Sequence, residues 1–326
     1  MTITLDEIGF YTLSEKRAKN INHNSPMWRT ELILTDRCNF SCAYCRGLRE
    51  DCRGDISKED GFKTIDIWCK DHLKNIRFSG GEPTLHPNLI DFVKRAKSGG
   101  VERIAVSTNG SAKLFYYLEL VDEGVNDFSI SLDGCCAADI NFMSGKSNCK
   151  VGNTIIENIR ELSKRTYVTT GVVITNDNLC KLVDIVNFAH NLGVADIRII
   201  SAAQENKVLV EALKISEEVL NCHPILKYRV NNIKNGVPVR GMTEKDCHKC
   251  NIMMDDSIVA GNRVFPCIIS LREGAEPICE VGENMREKRI EWMKKYKTFE
   301  NDICRKNCLD ACVAINNRIE EYKNEH

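Results

Sequence analysis

The sequence predicts an α/β fold built from six βα units, followed by a smaller, cysteine-rich C-terminal domain. Three observations lead there. Short runs rich in Val and Ile alternate with segments of helical period between residues 31 and 221, the mark of repeated βα units on a parallel sheet. Six units are too few for a closed eight-stranded barrel, which leaves an open, partial (β/α)6 barrel or a doubly wound sheet. From about residue 223 the alternation stops and irregular, cysteine-bearing sequence takes over.

Strands are expected at Glu31–Leu34, Ile76–Phe78, Arg103–Val106, Phe128–Leu132, Val168–Ile174 and Ile197–Ile200. Helices are expected over 58–73, 86–98, 112–123, 152–164, 178–192 and 205–221, where apolar residues recur at helical spacing. The segment from His223 to Cys250 reads as irregular. Two strand-like pieces follow, SIVAG and RVFPCII, then a charged helix near 285–297 and a polar helical end. The expected organisation is an N-terminal extension (1–27), a βα domain (28–222) and a cysteine-bearing domain (223–326). In either βα architecture, chemistry belongs on the loops after the C-terminal ends of the strands.

Lys plus Arg (45) nearly cancel Asp plus Glu (46), and no long basic run occurs, so the electrostatic footprint of a general nucleic-acid binder is missing. Neither an apolar signal core nor a membrane-length apolar run is present; a soluble, cytoplasmic protein is expected. Seventeen cysteines then point to metal ligation, because disulfides are rare in a reducing cytosol. They form two groups: Cys38, Cys42 and Cys45, and later Cys247, Cys250 and Cys267 with Cys304, Cys308 and Cys312. Cys52, Cys69, Cys149, Cys180 and Cys222 stand apart and are expected as buried apolar side chains.

The first group lies in TDRCNFSCAYC, directly after the first expected strand. Zinc would need a second pair of ligands at a matched distance, and Cys52 alone is a weak one. Three thiolates with a vacant fourth position fit a [4Fe–4S] cluster whose open iron meets an outside ligand. Cys38-x3-Cys42-x2-Cys45, with Tyr44 before the third cysteine, resembles the radical S-adenosylmethionine (radical SAM) superfamily. The resemblance continues at three later strand ends: Ser79-Gly80-Gly81-Glu82-Pro83, Ser107-Thr108-Asn109-Gly110, and Ser129 to Gly134 with Ser131 and Asp133. It implies a partial (β/α)6 barrel in which Tyr44, Gly80, Gly81, Glu82, Pro83, Ser107, Asn109, Ser131 and Asp133 bind S-adenosylmethionine. It further implies reductive cleavage to a 5′-deoxyadenosyl radical that abstracts hydrogen from a C–H bond. Glycines admit close backbone approach to a ligand, and Glu82 supplies negative charge for an ammonium.

The later cysteines resemble the SPASM/twitch extensions of the same superfamily, which hold auxiliary iron–sulfur clusters. The resemblance implies one auxiliary [4Fe–4S] cluster on Cys250, Cys267 and two of Cys304, Cys308 and Cys312, with Cys247 as an alternate; structural zinc is the competing reading. CHKCNIMMDDSIVAGNRVFPC, with TDRCNFSCAYC, also resembles the cyclase that makes the molybdenum-cofactor precursor from GTP, although that enzyme lacks a Cys304-x3-Cys308-x3-Cys312 element. Cys135 and Cys136, just after the fourth strand, are candidate hydrogen-atom donors. Nothing in residues 1–27 reads as a folded leader-binding module, so the expected substrate is a small molecule or a peptide presented by a partner. The resemblance implies an electron donor such as flavodoxin or ferredoxin. A non-catalytic iron–sulfur sensor is the alternative from another class.

Overall fold

The computed structural model describes residues 5, 13–147, 149–205 and 209–324. In chain order its elements are α1 (Glu15–Asn20), β1 (Arg29–Thr35), α2 (Lys58–Lys70), β2 (Asn75–Gly80), α3 (Leu89–Ser98), β3 (Arg103–Thr108), α4 (Leu114–Glu123), β4 (Asp127–Ser131), α5 (Ala137–Met143), α6 (Cys149–Ser163), β5 (Tyr167–Ile174), α7 (Leu182–Asn191) and β6 (Asp196–Ser201). They continue with α8 (Glu217–Cys222), α9 (Pro224–Lys234), β7 (Asp256–Ala260), β8 (Arg263–Phe265), α10 (Ile268–Arg272), β9 (Cys279–Glu280), α11 (Met285–Lys295), α12 (Asp302–Asn307) and α13 (Asp310–Asn324). By contact the described chain divides into two units that interleave along the sequence: residues 38–46 with 105–239, and residues 13–37 with 47–104 and 240–324.

In the first unit β3, β4, β5 and β6 run parallel in chain order, with Ala105 beside Asp127, Asp127 beside Tyr167, and Thr169 beside Asp196. Parallel neighbours require crossover connections, and α4, α6 and α7 provide them. The α7 helix buries Leu182, Ile185, Val186 and Ala189, an i, i+3, i+4, i+7 stripe that fixes which face meets the sheet. Each of the Leu, Ile and Val side chains contributes about 1.5–3 kcal/mol when fully buried.

At the base of this unit two histidines meet. The Nδ1 of His190 lies 3.0 Å from Nε2 of His223, and Nδ1 of His223 lies 3.2 Å from the Ala195 carbonyl. A carbonyl only accepts, so His223 carries its proton on Nδ1 and accepts from His190 through Nε2. Burial pushes the His223 pKa down to about 4, whereas an unfolded histidine titrates near 6.5. The unfolded chain therefore binds the extra proton first, and stability is lost as pH falls from about 6.5 to about 4, by about 3 kcal/mol. Denaturant unfolding of wild type and His223→Gln across that window is expected to show this loss in wild type only; parallel pH profiles would refute it.

In the second unit β2, β1 and β7 run parallel, Arg29 lying between Asn75 and Asp256. β8 and β9 extend this sheet antiparallel. The two-residue turn between β7 and β8 starts at Gly261, whose φ of +57° suits a residue without a Cβ. Below the sheet, Ala18 and Ile21 of α1 pack with Met253, Met254, Met293 of α11, and Ile315 and Ile319 of α13. Two buried ion pairs join the N-terminal segment to the start of β7, Arg17 with Asp255 and Arg29 with Asp256, the second at 2.8 Å.

The six expected strands are present, each within a few residues of its expected bounds. Several helices differ. The stretch after β4 forms two helices, α5 and α6, because Gly145 at φ +68° breaks the run. The segment expected as irregular contains α9, which starts at Pro224, a residue whose fixed φ suits a first helical turn. The single helix expected over 205–221 is replaced by a 3-10 turn (Val210–Lys214) and α8, capped by Ser216, while residues 206–208 lie outside the described residues. Cys52 is buried and Cys69 half-buried, but Cys180 and Cys222 are exposed; they sit in one-turn or two-turn helices whose outer side faces solvent. Residues 1–4 and 6–12 of the expected extension, and the side chain of Cys149, lie outside the described residues. No described helix is long and apolar enough to cross a membrane.

Candidate functional site

The cysteine loop follows β1 and carries Cys38 and Cys45 exposed and Cys42 half-buried. The Phe40 N–H lies 3.4 Å from the Cys38 sulfur, and Cys45 N–H donates to the Cys42 carbonyl at 3.0 Å, so the loop is a turn that keeps its three thiols on a short arc. Five hydrogen bonds within the first unit hold it. Asn109 Nδ2 donates to Asn39 Oδ1 at 2.7 Å, and Asn39 Nδ2 donates to Ser111 Oγ at 2.9 Å. Ser41 N–H donates to the Ser144 carbonyl at 3.1 Å. Gln204 Nε2 donates to the Tyr44 carbonyl at 2.9 Å. Tyr44 donates its hydroxyl to Asp133 Oδ2.

Asp133 is buried and lies just past the end of β4. Its other oxygen accepts from Val173 N–H at 2.7 Å, while Asn178 Nδ2 donates to its carbonyl at 3.1 Å. Burial lifts the Asp133 carboxyl to about 6, against the pull of Tyr44 and Val173. Burial, with the negative charge of Asp133, also raises the Cys42 thiol to about 11. Asn109 is buried in the turn after β3, Ser107 is half-buried two residues earlier, and Ser131 is exposed at the end of β4. Cys136 is the exposed N-terminal flank of α5; Cys135, half-buried, donates its S–H to Asp139 Oδ2 at 3.3 Å, and Lys181 pairs with Asp139 at 2.7 Å.

In the second unit, β2 ends in Gly80 and Gly81, packed against the backbone that leaves β1. Gly80 adopts φ +150°, and a Cβ there would overlap the Thr35 carbonyl oxygen. At Gly81 a Cβ would overlap the Arg37 carbonyl oxygen and lie 2.6 Å from that of Asp36. Gly81 N–H donates to Thr35 O at 2.7 Å and Glu82 N–H to Arg37 O at 2.8 Å. The glycines thus let the two strand ends run in backbone contact. Glu82 is fully buried; its Oε1 accepts from Thr84 N–H at 3.1 Å and from Thr84 Oγ1 at 2.7 Å, and Pro83 opens the following 3-10 turn. Arg272 donates to the Gly80 carbonyl at 2.9 Å.

The later cysteines of this unit separate into two environments. Cys250, Cys267, Cys304, Cys308 and Cys312 are gathered: ionisation of Cys250 is opposed first by burial and then by Cys267, Cys304 and Cys312, and Cys308 shares a hydrogen bond with Cys312 that favours the thiolate on Cys312. Burial raises Cys267, and lifts Cys304 to about 11; Tyr296 Oη lies 3.6 Å from the Cys304 sulfur. Cys247 instead faces Glu320 Oε2 at 3.9 Å and the Lys249 carbonyl at 3.4 Å, with no thiol among its hydrogen-bond partners. Among the described residues no three His, Cys, Asp or Glu side chains converge as closely as a single metal ion demands. A four-iron cluster spreads its thiolates wider than one tetrahedral ion does, and deprotonating buried thiols requires a compensating cation. The five-thiol set has the donor chemistry for such a cluster, and so has the three-thiol loop.

Residues 32–189 match the Radical SAM superfamily. This stretch is a radical SAM domain. Among curated relatives, a probable GTP 3′,8-cyclase of Sulfurisphaera tokodaii is 25% identical over 206 residues, 62% of this chain and 64% of that one. A second, from Methanothermobacter thermautotrophicus, is 31% identical over 112 residues, 34% of this chain and 37% of its own length. The matches thus span less than two thirds of both relatives. Among solved structures, Streptococcus suis SuiB bound to its precursor peptide SuiA has a TM-score of 0.58 at 12% identity, covering 86% of this chain and 67% of SuiB. Native anSMEcpe with bound AdoMet has a TM-score of 0.54 at 15% identity, covering 91% of this chain and 97% of that one. At these identities the likeness is one of fold, and the α/β class with parallel strands read from the sequence is the class observed.

Within the radical SAM domain the sequence motifs point to Tyr44, Asn109 and Asp133 without their partners. Asn39, Ser111, Asn178 and Gln204 are missed by motif reading. Asn39 alone carries a signal, a polar side chain between two ligand-spaced cysteines; Ser111 and Gln204 meet the loop, and Asn178 the Asp133 backbone, across long sequence separations. Cys279 is missed as well. It lies on β9 opposite Val264.

Proposed function

We propose that this radical SAM enzyme uses a cluster on Cys38, Cys42 and Cys45 and S-adenosylmethionine to abstract hydrogen from a C–H bond of a small-molecule or peptide substrate, assisted by an auxiliary [4Fe–4S] cluster on the later thiols. The observation that carries the reading is the anchored three-cysteine loop, with Tyr44 latched to buried Asp133. Bound there, the cluster would supply the electron that cleaves the sulfonium. The chain's own residues do the rest by position. Asn39, Ser41 and Tyr44 fix the loop, the buried Glu82 carboxylate offers negative charge to the ammonium of the methionine moiety, and Gly80 and Gly81 let the end of β2 lie against the backbone leaving β1 and so hold Glu82 in place. Asn109, Ser107 and Ser131 offer polar contacts at strand ends. Cys135 and Cys136, on the loop after β4, are the candidate hydrogen donors, Cys135 with its S–H held by Asp139. The electron donor is proposed to be a flavodoxin or ferredoxin.

A second reading, GTP 3′,8-cyclase activity, is favoured by the names of the curated relatives. One anaerobic experiment separates the readings. Reconstituted, dithionite-reduced protein is incubated with S-adenosylmethionine and with GTP, peptide fractions or small-molecule fractions, and 5′-deoxyadenosine is quantified against a Cys38→Ala, Cys42→Ala, Cys45→Ala blank. Stimulation by GTP alone supports the cyclase, stimulation by another fraction supports the broader reading, and no yield above the blank leaves an iron–sulfur binding protein. In D2O, product deuterium that survives Cys135→Ala would remove Cys135 as donor.

A further inference from the structure

Arg289, on α11, is 0% exposed. Its guanidinium is held by backbone carbonyls: Nη1 donates to Phe265 O at 2.8 Å, while Nη2 donates to Asp256 O and reaches Met253 O at 3.4 Å. Nε is buried with no partner, and among the described residues no carboxylate pairs with this side chain. The nearby carboxylate, Asp256, is taken by Arg29 at 2.8 Å. A buried guanidinium that no carboxylate hydrogen-bonds is costly unless something anionic offsets it. Two of these carbonyls belong to segments that carry candidate cluster ligands: Phe265 lies two residues before Cys267, and Met253 three residues after Cys250. Burial lowers the Arg289 pKa to about 10, and Asp256, Cys250, Cys279 and Cys267 oppose that shift.

We infer that Arg289 is the built-in counter-charge of the auxiliary cluster, a positioning residue that stabilises its thiolates and raises its reduction potential. The inference rests on the auxiliary-cluster reading above. A fixed positive charge in a dry surrounding favours the form of the cluster that holds one more electron, since cluster potentials follow net charge, hydrogen bonding and solvent exposure. The carbonyls orient the guanidinium but cannot neutralise it.

The test uses the full chain in the Cys38→Ala, Cys42→Ala, Cys45→Ala background, so that only auxiliary iron is seen. Arg289→Gln keeps amide donors for the carbonyls and removes the charge; Arg289→Lys keeps the charge. EPR-monitored redox titration and iron counting are the readouts. Arg289→Gln is expected to retain iron and shift the one-electron reduction equilibrium more than tenfold toward the oxidised form, about 59 mV lower, while Arg289→Lys stays near the parent. Loss of iron in Arg289→Gln but not in Arg289→Lys would equally show that the charge is needed. An unmoved equilibrium in Arg289→Gln, or iron loss in both variants, would reduce Arg289 to a packing strut. A parent that binds no iron would overturn the auxiliary-cluster reading, and this inference with it, while leaving the 5′-deoxyadenosine result untouched.

Discussion

Gly81→Ala is expected to abolish S-adenosylmethionine binding and to destabilise the second unit by about 1–3 kcal/mol. The reason is local. The added Cβ would overlap the Arg37 carbonyl oxygen and come within 2.6 Å of the Asp36 oxygen. Both are main-chain atoms at the mouth of the cysteine loop, so relief requires moving the exit of β1 rather than rotating a side chain. The same shift would break the hydrogen bonds from Gly81 N–H to Thr35 O and from Glu82 N–H to Arg37 O, displacing the Glu82 carboxylate. Gly80→Ala adds a φ penalty at +150°, a further cost of about 1–3 kcal/mol. Gly282→Ala is the control, since its Cβ meets nothing closer than 3.7 Å; a surface change of that kind stays within about 0.5 kcal/mol. Thermal unfolding and anaerobic calorimetric titration with S-adenosylmethionine would report both effects. Wild-type affinity in Gly81→Ala would show that the β2 end plays no part in holding the ligand.

Cys250→Ala combined with Cys267→Ala is expected to remove about four iron atoms per chain and to leave the 5′-deoxyadenosine-forming cluster in place. Cys250 lies on the turn before β7, and Cys267 caps α10 through its sulfur, which accepts from Ser270 N–H at 3.4 Å. Removing both takes two donors from a set of five, and the remaining Cys304, Cys308 and Cys312 sit together on the α12–α13 segment. Three thiols from one segment give no enclosure on the β7–β8 side. The melting temperature of the reconstituted protein is expected to fall with the iron, because metal binding to the native state alone is folding free energy. Cys69→Ala, a half-buried cysteine outside both groups, is the control. Iron content equal to that control in the double variant would sink the assignment of Cys250 and Cys267.

Thiol spacing after an apolar run is enough to single out Cys38, Cys42 and Cys45, because ligand spacing and strand ends are local properties of the chain. The strand positions are legible for the same reason: alternating βα units carry their period within a dozen residues. α9 and the break between α5 and α6 are not legible, since one depends on Pro224 starting a helix in polar sequence and the other on the backbone conformation of Gly145.

Legible along the chain are the chemical groups and their order: the three-thiol loop, the glycines and glutamate at the end of β2, the polar strand ends, and a late group of cysteines. Tertiary structure alone decided their company. It brought Asn109 to Asn39 and Asp133 to Tyr44 across separations of 70 and 89 residues, laid β7 beside β1, collected five of the late thiols while turning Cys247 toward Glu320, and buried Arg289 against the backbone carbonyls of Phe265 and Asp256. Local propensity acts over a few residues, whereas these contacts are set by which faces must pack together to leave water. No motif records that.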